Sequence, residues 1–130
     1  MAREILFRGK RTDNGKWVEG HLIVFPKSKI TKIMVWNAAD LDFDAIEVRP
    51  ESVGQFTGKT DKNGKRIFEG DIVKSFDISG ELEGIGAVNL NDLFCCWQFG
   101  EKPMYGGLVG CYEVIGNIHD NSELLNDTES

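Results

Sequence analysis

The chain writes one turn-and-strand signature twice. Phe7-Arg8-Gly9-Lys10, Asn14-Gly15-Lys16 and Glu19-Gly20-His21-Leu22-Ile23 are echoed by Phe56-Thr57-Gly58-Lys59, Asn63-Gly64-Lys65 and Glu69-Gly70-Asp71-Ile72-Val73. An Asn-Gly pair tolerates the positive φ of a tight hairpin turn, so each copy predicts a β-hairpin. A repeated hairpin constrains architecture, not chemistry. The repeat is imperfect: Phe68 adds one residue before the second Glu-Gly. That insertion predicts a shifted register or a bulge in the second copy.

The segments between the copies read as further short strands. Residues 17–25 place Trp17, Ile23 and Phe25 on one side and Val18, Leu22 and Val24 on the other, so each face of this strand expects cover. Pro26-Lys27-Ser28-Lys29 ends it, and residues 30–36 return as a strand. Residues 37–44 are acidic and suit a loop or a short helical turn before Ile46-Glu47-Val48. In the second copy Glu69-Gly70-Asp71 predicts a bend into a strand over 72–76. Residues 79–86, with Gly80, Gly84 and Gly86, read as a mobile loop, and strands follow over 93–99 and 112–118. Asp120 with Glu123 resembles a capping box opening a single helical turn over 122–126. No long amphipathic helix is present to make parallel crossovers. The expected fold is mainly β: small, strongly bent sheets or SH3-like barrels of short antiparallel strands, with a short C-terminal helix.

At 130 residues, 41% hydrophobic and 28% charged, the chain falls among ordinary globular domains and needs no disulfide or metal staple. No apolar run approaches a membrane span and no signal-peptide core follows Met1, so a cytoplasmic location away from membranes is expected. The net charge of −6 disfavours nucleic-acid backbones as partners. Two basic clusters, Arg8, Lys10 and Arg11, and Lys59, Lys62, Lys65 and Arg66, read as cations solvating turn tips. Trp17, Trp36, Trp97, Phe7, Phe56 and Phe68 are expected to pack in the core, in preference to forming a base-stacking surface. Cys95, Cys96 and Cys111 lack metal spacing, and Cys95 reads as a core residue on the face of Leu93, Trp97 and Phe99.

The best chemical candidate is Gly116-Asn117-Ile118-His119-Asp120-Asn121, where a histidine adjoins a carboxylate. A metal or acid-base site there needs partners from elsewhere, for which His21, Glu69 and Asp71 are the candidates. Capping and packing of the short helix by His119 and Asp120 is the favoured alternative. Asp61, Glu69 and Asp71 lack the ligand spacing of a calcium loop, and turn stabilisation explains them better. No nucleophile elbow, Walker loop or dinucleotide fingerprint is present. The residues therefore assign no catalytic group, no metal ligand and no cofactor, and the balance leans away from an enzyme.

Phe7-Arg8-Gly9-Lys10, Phe56-Thr57-Gly58, Asp61-Lys62-Asn63-Gly64, Ile67-Phe68-Glu69-Gly70-Asp71-Ile72-Val73 and Glu113-Val114-Ile115-Gly116-Asn117-Ile118-His119-Asp120-Asn121 together resemble the YopX family of phage and prophage proteins over roughly residues 3–125. The resemblance implies a mainly β, oligomeric protein encoded by a bacteriophage or prophage, and it carries over no catalytic residue. A single domain over 1–130 is expected, or two lobes over about 1–49 and 50–126, with 127–130 a disordered tail. The leading expectation is a non-enzymatic accessory protein that binds protein, as a homo-oligomer or on a host or phage partner. The alternative is a nucleic-acid-associated SH3-like module, and the residual one a metal-dependent enzyme using His119 and Asp120.

Overall fold

A computed structural model describes residues 5–77, 79–91, 96–99, 102–103 and 112–126. Among these the fold is mainly β. In chain order the strands are β1 (Phe7–Lys10), β2 (Trp17–Phe25), β3 (Ile30–Asn37), β4 (Asp42–Val48), β5 (Gly54–Thr60), β6 (Arg66–Phe68), β7 (Asp71–Phe76), β8 (Leu82–Asn91), β9 (Cys96–Phe99), β10 (Lys102–Pro103) and β11 (Tyr112–Asn117). A 3-10 turn, Pro50–Ser52, precedes β5, and a single helical turn, α1 (Glu123–Asn126), follows β11. Hydrogen bonding orders the strands β4-β3-β2-β1-β5-β6 in one antiparallel sheet and β10-β9-β8-β7-β11 in the other. The chain forms two compact units, Met1–Phe56 and Thr57–Ser130, and the division falls inside β5.

In the first unit the predicted hairpin forms as read. The Arg11 N–H donates to the Lys16 carbonyl at 2.9 Å, and the Asn14 side-chain oxygen accepts the Lys16 N–H at 2.9 Å. Gly15 takes φ 72 there, the conformation the Asn-Gly pair supplies. β2 then pairs with β3 from His21↔Met34 to Phe25↔Ile30, and β3 with β4 from Thr31↔Val48 to Asn37↔Asp42. The end of β4 turns back on β1: Arg11 bridges Val48, and the Arg49 N–H donates to the Lys10 carbonyl at 2.9 Å. Ser52 fixes the corner, its hydroxyl accepting the Lys10 N–H at 2.8 Å and donating to the Arg49 carbonyl at 2.6 Å. A single bridge closes no ladder, so among the described residues the SH3-like barrel alternative does not form.

Ile33 and Val48 form the fully buried centre of this unit. The second unit has a larger core, in which Ile67, Val73, Val88, Phe99 and Tyr112 are buried, with Trp97 and Val114 packed against them. Phe99 and Tyr112 meet edge to face at 5.6 Å between centroids, the favoured geometry for rings of like quadrupole. β7 is buried on both faces, with Ile72, Val73 and Ser75 all inaccessible.

The inserted Phe68 marks where the copies diverge. In the first copy the chain passes through Glu19-Gly20 without a break, as one nine-residue strand. Gly20 is required there by close approach, because a Cβ would collide with the Met34 carbonyl oxygen. In the second copy the strand stops at Phe68, and Gly70 turns the chain at φ 92 into β7, a strand of the other sheet. One dipeptide thus serves strand continuity in one copy and the predicted bend in the other.

Two segments differ from their sequence reading. Residues 79–86 are not a loop throughout: β8 begins at Leu82, with Gly84 opposite Ser75 and Gly86 opposite Val73. Glycine weakens a strand but β7 supplies the ladder that holds it. Residues 37–44 hold a hairpin turn, not a helical one, and β4 starts at Asp42. The readings for Cys95, Cys111 and residues 127–130, and the Cys96 side chain, lie outside the described residues.

Candidate functional site

The motifs of the second unit converge on β11. Asp61 opens the second hairpin and is buried, with 4% of its surface exposed. Its Oδ1 accepts the Asn63 and Lys65 N–H groups, both at 2.9 Å, and its Oδ2 accepts the Val114 N–H at 3.0 Å. The Lys62 N–H adds a bond to the Tyr112 carbonyl at 2.8 Å. Burial pushes the Asp61 carboxyl up, but the Val114, Lys65 and Asn63 amides and the Lys65 ammonium outweigh it, holding it below the usual carboxylate range. One carboxylate thereby ties a hairpin turn to a strand far along the chain.

The other end of β11 is tied in the same manner. The buried Asp71 carboxylate accepts the Phe68 N–H at 2.7 Å, closing the 68–71 turn. Gly70 donates to the Val88 carbonyl and accepts the Ile118 N–H, each at 2.8 Å. The turn after β11 is shaped by Asn117, whose side-chain oxygen accepts the His119 N–H at 3.0 Å and the Asp120 N–H at 2.9 Å. Asn117 Nδ2 donates to the Asp120 carboxylate at 3.2 Å, directing it toward the strand end. Gly116 leaves room for Asn121, whose side chain would meet a Cβ at 2.7 Å.

The candidate chemistry can be placed on this frame. The Ile118–Gly70 bond brings the His119-Asp120 turn beside the Glu69-Gly70-Asp71 turn. His119 and Asp120 are exposed, whereas Asp71 is buried against the Phe68 amide. His21 lies in the other unit, exposed on β2 opposite Met34. Among the described residues no group of three or more His, Cys, Asp and Glu could hold a metal ion. The arrangement supports turn construction more than proton transfer, because its polar groups engage backbone amides.

A different surface stands out in the first unit. Cross-strand register places Ile23, Phe25, Ile30, Met34, Trp36, Phe43, Ala45 and Trp17 on one side of the sheet, interleaved with Arg8, Lys10, Lys32, Glu19, His21 and Glu47. Phe25, Ile30, Trp36 and Phe43 are 44%, 37%, 53% and 45% exposed on that side. The expectation of cover for both faces of β2 is not met, and Trp36 is not a core residue. Trp17 is half-buried beneath cations, with the Arg8 guanidinium 4.6 Å and the Lys10 ammonium 5.6 Å from its ring centroid. Lys32 stands 5.9 Å from the Phe25 ring. The first basic cluster therefore does not merely solvate a turn: two of its members stack on an aromatic. Phe56 and Phe68 are buried as expected, Phe7 and Trp97 half-buried.

Beyond Met34 the β2–β3 ladder ends while β3 and β4 continue as a two-stranded ribbon to Asn37↔Asp42. Asn37 orders its tip, accepting the Ala39 N–H at 3.0 Å and donating to Asp40 at 3.0 Å and Asp44 at 3.1 Å. Trp36 and Phe43 face each other edge to face at 5.2 Å. Sequence reasoning missed Phe43 by assigning it to an acidic loop. The available signal was Trp36 and Phe43 spaced symmetrically about a four-residue turn.

Comparison with known proteins gives a family and a fold. A family model described as YopX protein matches residues 6–126. The crystal structure of protein EF1440 from Enterococcus faecalis is similar, with a TM-score of 0.56 and 24% identity, covering 95% of this chain and 99% of that one. Among curated proteins none matches. No helix among the described residues is long and apolar enough to cross a membrane. With the matched region covering nearly the whole chain, the chain belongs to the YopX family.

Proposed function

We propose that this is a phage- or prophage-encoded cytoplasmic protein that acts by binding protein, as a homo-oligomer or on a host or phage partner, and not as an enzyme. The observation that carries the reading is the exposed apolar side of β2, β3 and β4, bearing Phe25, Ile30, Trp36 and Phe43. Contiguous exposed apolar surface of this kind is characteristic of association sites. The motif residues support it indirectly, since Asp61, Asp71 and Asn117 serve turns and leave the chemistry of the chain elsewhere. Sedimentation equilibrium over rising concentration tests the reading. A mass that grows reversibly with concentration is expected; a strict monomer that also retains no protein from infected-host lysate contradicts it.

A second reading, a nucleic-acid-associated module, is favoured by one observation: cations stacked on Trp17 and Phe25 on the same side of the sheet. The net charge of −6 opposes it. Filter binding to single- and double-stranded DNA and RNA at low salt decides, and the absence of salt-sensitive retention removes it.

A further inference from the structure

β4 ends its sheet, and its outer edge is open over most of its length. Two bonds at the close of the strand fix which way its backbone points: the Glu47 carbonyl accepts the Thr12 N–H at 3.2 Å, and the Arg49 N–H donates to the Lys10 carbonyl at 2.9 Å. Backbone groups alternate in direction along an antiparallel strand, so Glu47, Ala45 and Phe43 turn their N–H and C=O away from β3. The Asp42 carboxylate takes the Phe43 N–H at 2.7 Å. Among the described residues no group meets the Phe43 carbonyl, either backbone group of Ala45 or the Glu47 N–H, and all three residues are exposed. The second unit treats β11 differently. There the Asp61 carboxylate takes the Val114 N–H and the Lys62 N–H takes the Tyr112 carbonyl, which covers the edge at those positions.

An open edge is a template for one more strand, and the side chains along it decide which strand fits. Cross-strand register puts Asp42 and Asp44 on one side of β4 and Phe43 and Ala45 on the other. Asp42 and Asp44 are exposed, and among the described residues neither meets a cation. A second copy paired through this edge would set one Asp42–Asp44 row alongside another, where like charges repel. No lysine, proline or bulge blunts β4, so its charge turns away acidic strands and admits basic ones. We propose that β4 accepts, by strand addition, an extended segment of a partner protein in which basic and apolar residues alternate. The basic residues lie beside Asp42 and Asp44, the apolar ones beside Phe43 and Ala45, and the backbone of the segment pairs with Ala45 and Glu47. Main-chain bonds supply the affinity, and the opposite-charge cross-strand pairs supply the selectivity. The proposal rests on the protein-binding reading above and deepens it by naming the chemistry of a partner. It uses the backbone of one edge and not the apolar side, so either can fail alone.

The probe is the end-blocked peptide Lys-Val-Lys-Val-Lys-Val-Lys, titrated into the full chain by calorimetry at low salt, with amide exchange followed residue by residue by NMR. Saturable binding that slows exchange of the Ala45 and Glu47 amides is expected. The same peptide N-methylated at its valines keeps its charge and side chains but loses the N–H groups that would face β4, and it should not bind. Glu-Val-Glu-Val-Glu-Val-Glu should not bind either. The Asp42→Lys/Asp44→Lys variant, with folding checked by circular dichroism, should bind the basic peptide roughly tenfold more weakly or worse. Ala45→Pro removes an outward N–H and no bond to β3, and should weaken binding as well. Binding that survives N-methylation or the Asp42/Asp44 change, protection that falls on other amides, or no binding of the basic peptide overturns the strand addition. None of these results touches the association reading, which sedimentation equilibrium tests by itself.

Discussion

Asp61 shows how much one side chain can hold. Its carboxylate satisfies three backbone amides, two local and one from Val114, and the charged form is favoured by all three. Because its pKa is lowered by folding, the stabilisation is fully present above the unfolded carboxylate value of about 4 and is lost as pH falls through the lower folded value. Urea unfolding should therefore show wild-type stability declining below about pH 4 more steeply than that of Asp61→Asn. Asp61→Ala should cost about 3 kcal/mol at neutral pH, since it leaves buried amides without an acceptor. The sequence showed Asp61 as a turn residue, and the Asn63 and Lys65 bonds are legible from its place before Asn-Gly-Lys. The Val114 bond was not, because its partner lies 53 residues away and only the folding of the second unit brings it there.

At the scale of the element, the repeat was legible and its divergence was half legible. The hairpin turns follow from Asn14-Gly15 and Asn63-Gly64, and the extra Phe68 signals an irregularity. What it does, ending one strand and sending the chain into the other sheet, depends on β8 and β11 being present to receive Gly70. The two matched glycines should respond differently to alanine. Gly70→Ala adopts an unfavourable φ at a cost of about 1–2 kcal/mol. Gly20→Ala should cost about 2–3 kcal/mol, because the Met34 carbonyl and the Ile33 side chain must move aside. Chemical denaturation of the two variants checks the order; equal costs would mean that β3 shifts freely. The start of β8 reads as a loop over Gly84 and Gly86 because glycine carries no strand signal of its own, and its pairing is imposed by β7. The ribbon of β3 and β4 was hidden in the same way, its aspartates suggesting a loop while Asn37 caps a hairpin turn.

For the whole molecule, the second-unit motifs that identify the family and the exposed aromatics of the first unit separate, while the Phe7-Arg8-Gly9-Lys10 motif belongs to the sheet that bears those aromatics. The second-unit motifs build the two turns and the strand they grip, whereas the exposed side of β2, β3 and β4 draws on Phe25, Ile30, Trp36 and Phe43, of which only Trp36 stands out as a candidate in the sequence. Aromatic residues in a β-rich chain read as core, because burial of rings is the common outcome. The exposure of Trp36 follows from the β2–β3 ladder ending at Met34, which no local pattern announces. Association through that side of the first unit is the proposed mode of action. Amide hydrogen exchange measured at a dilute and at an associating concentration tests it most directly. The prediction is slower exchange at high concentration confined to β2, β3 and β4, with β7 and β11 unchanged. Exchange independent of concentration, or protection gained only in the second unit, would contradict it.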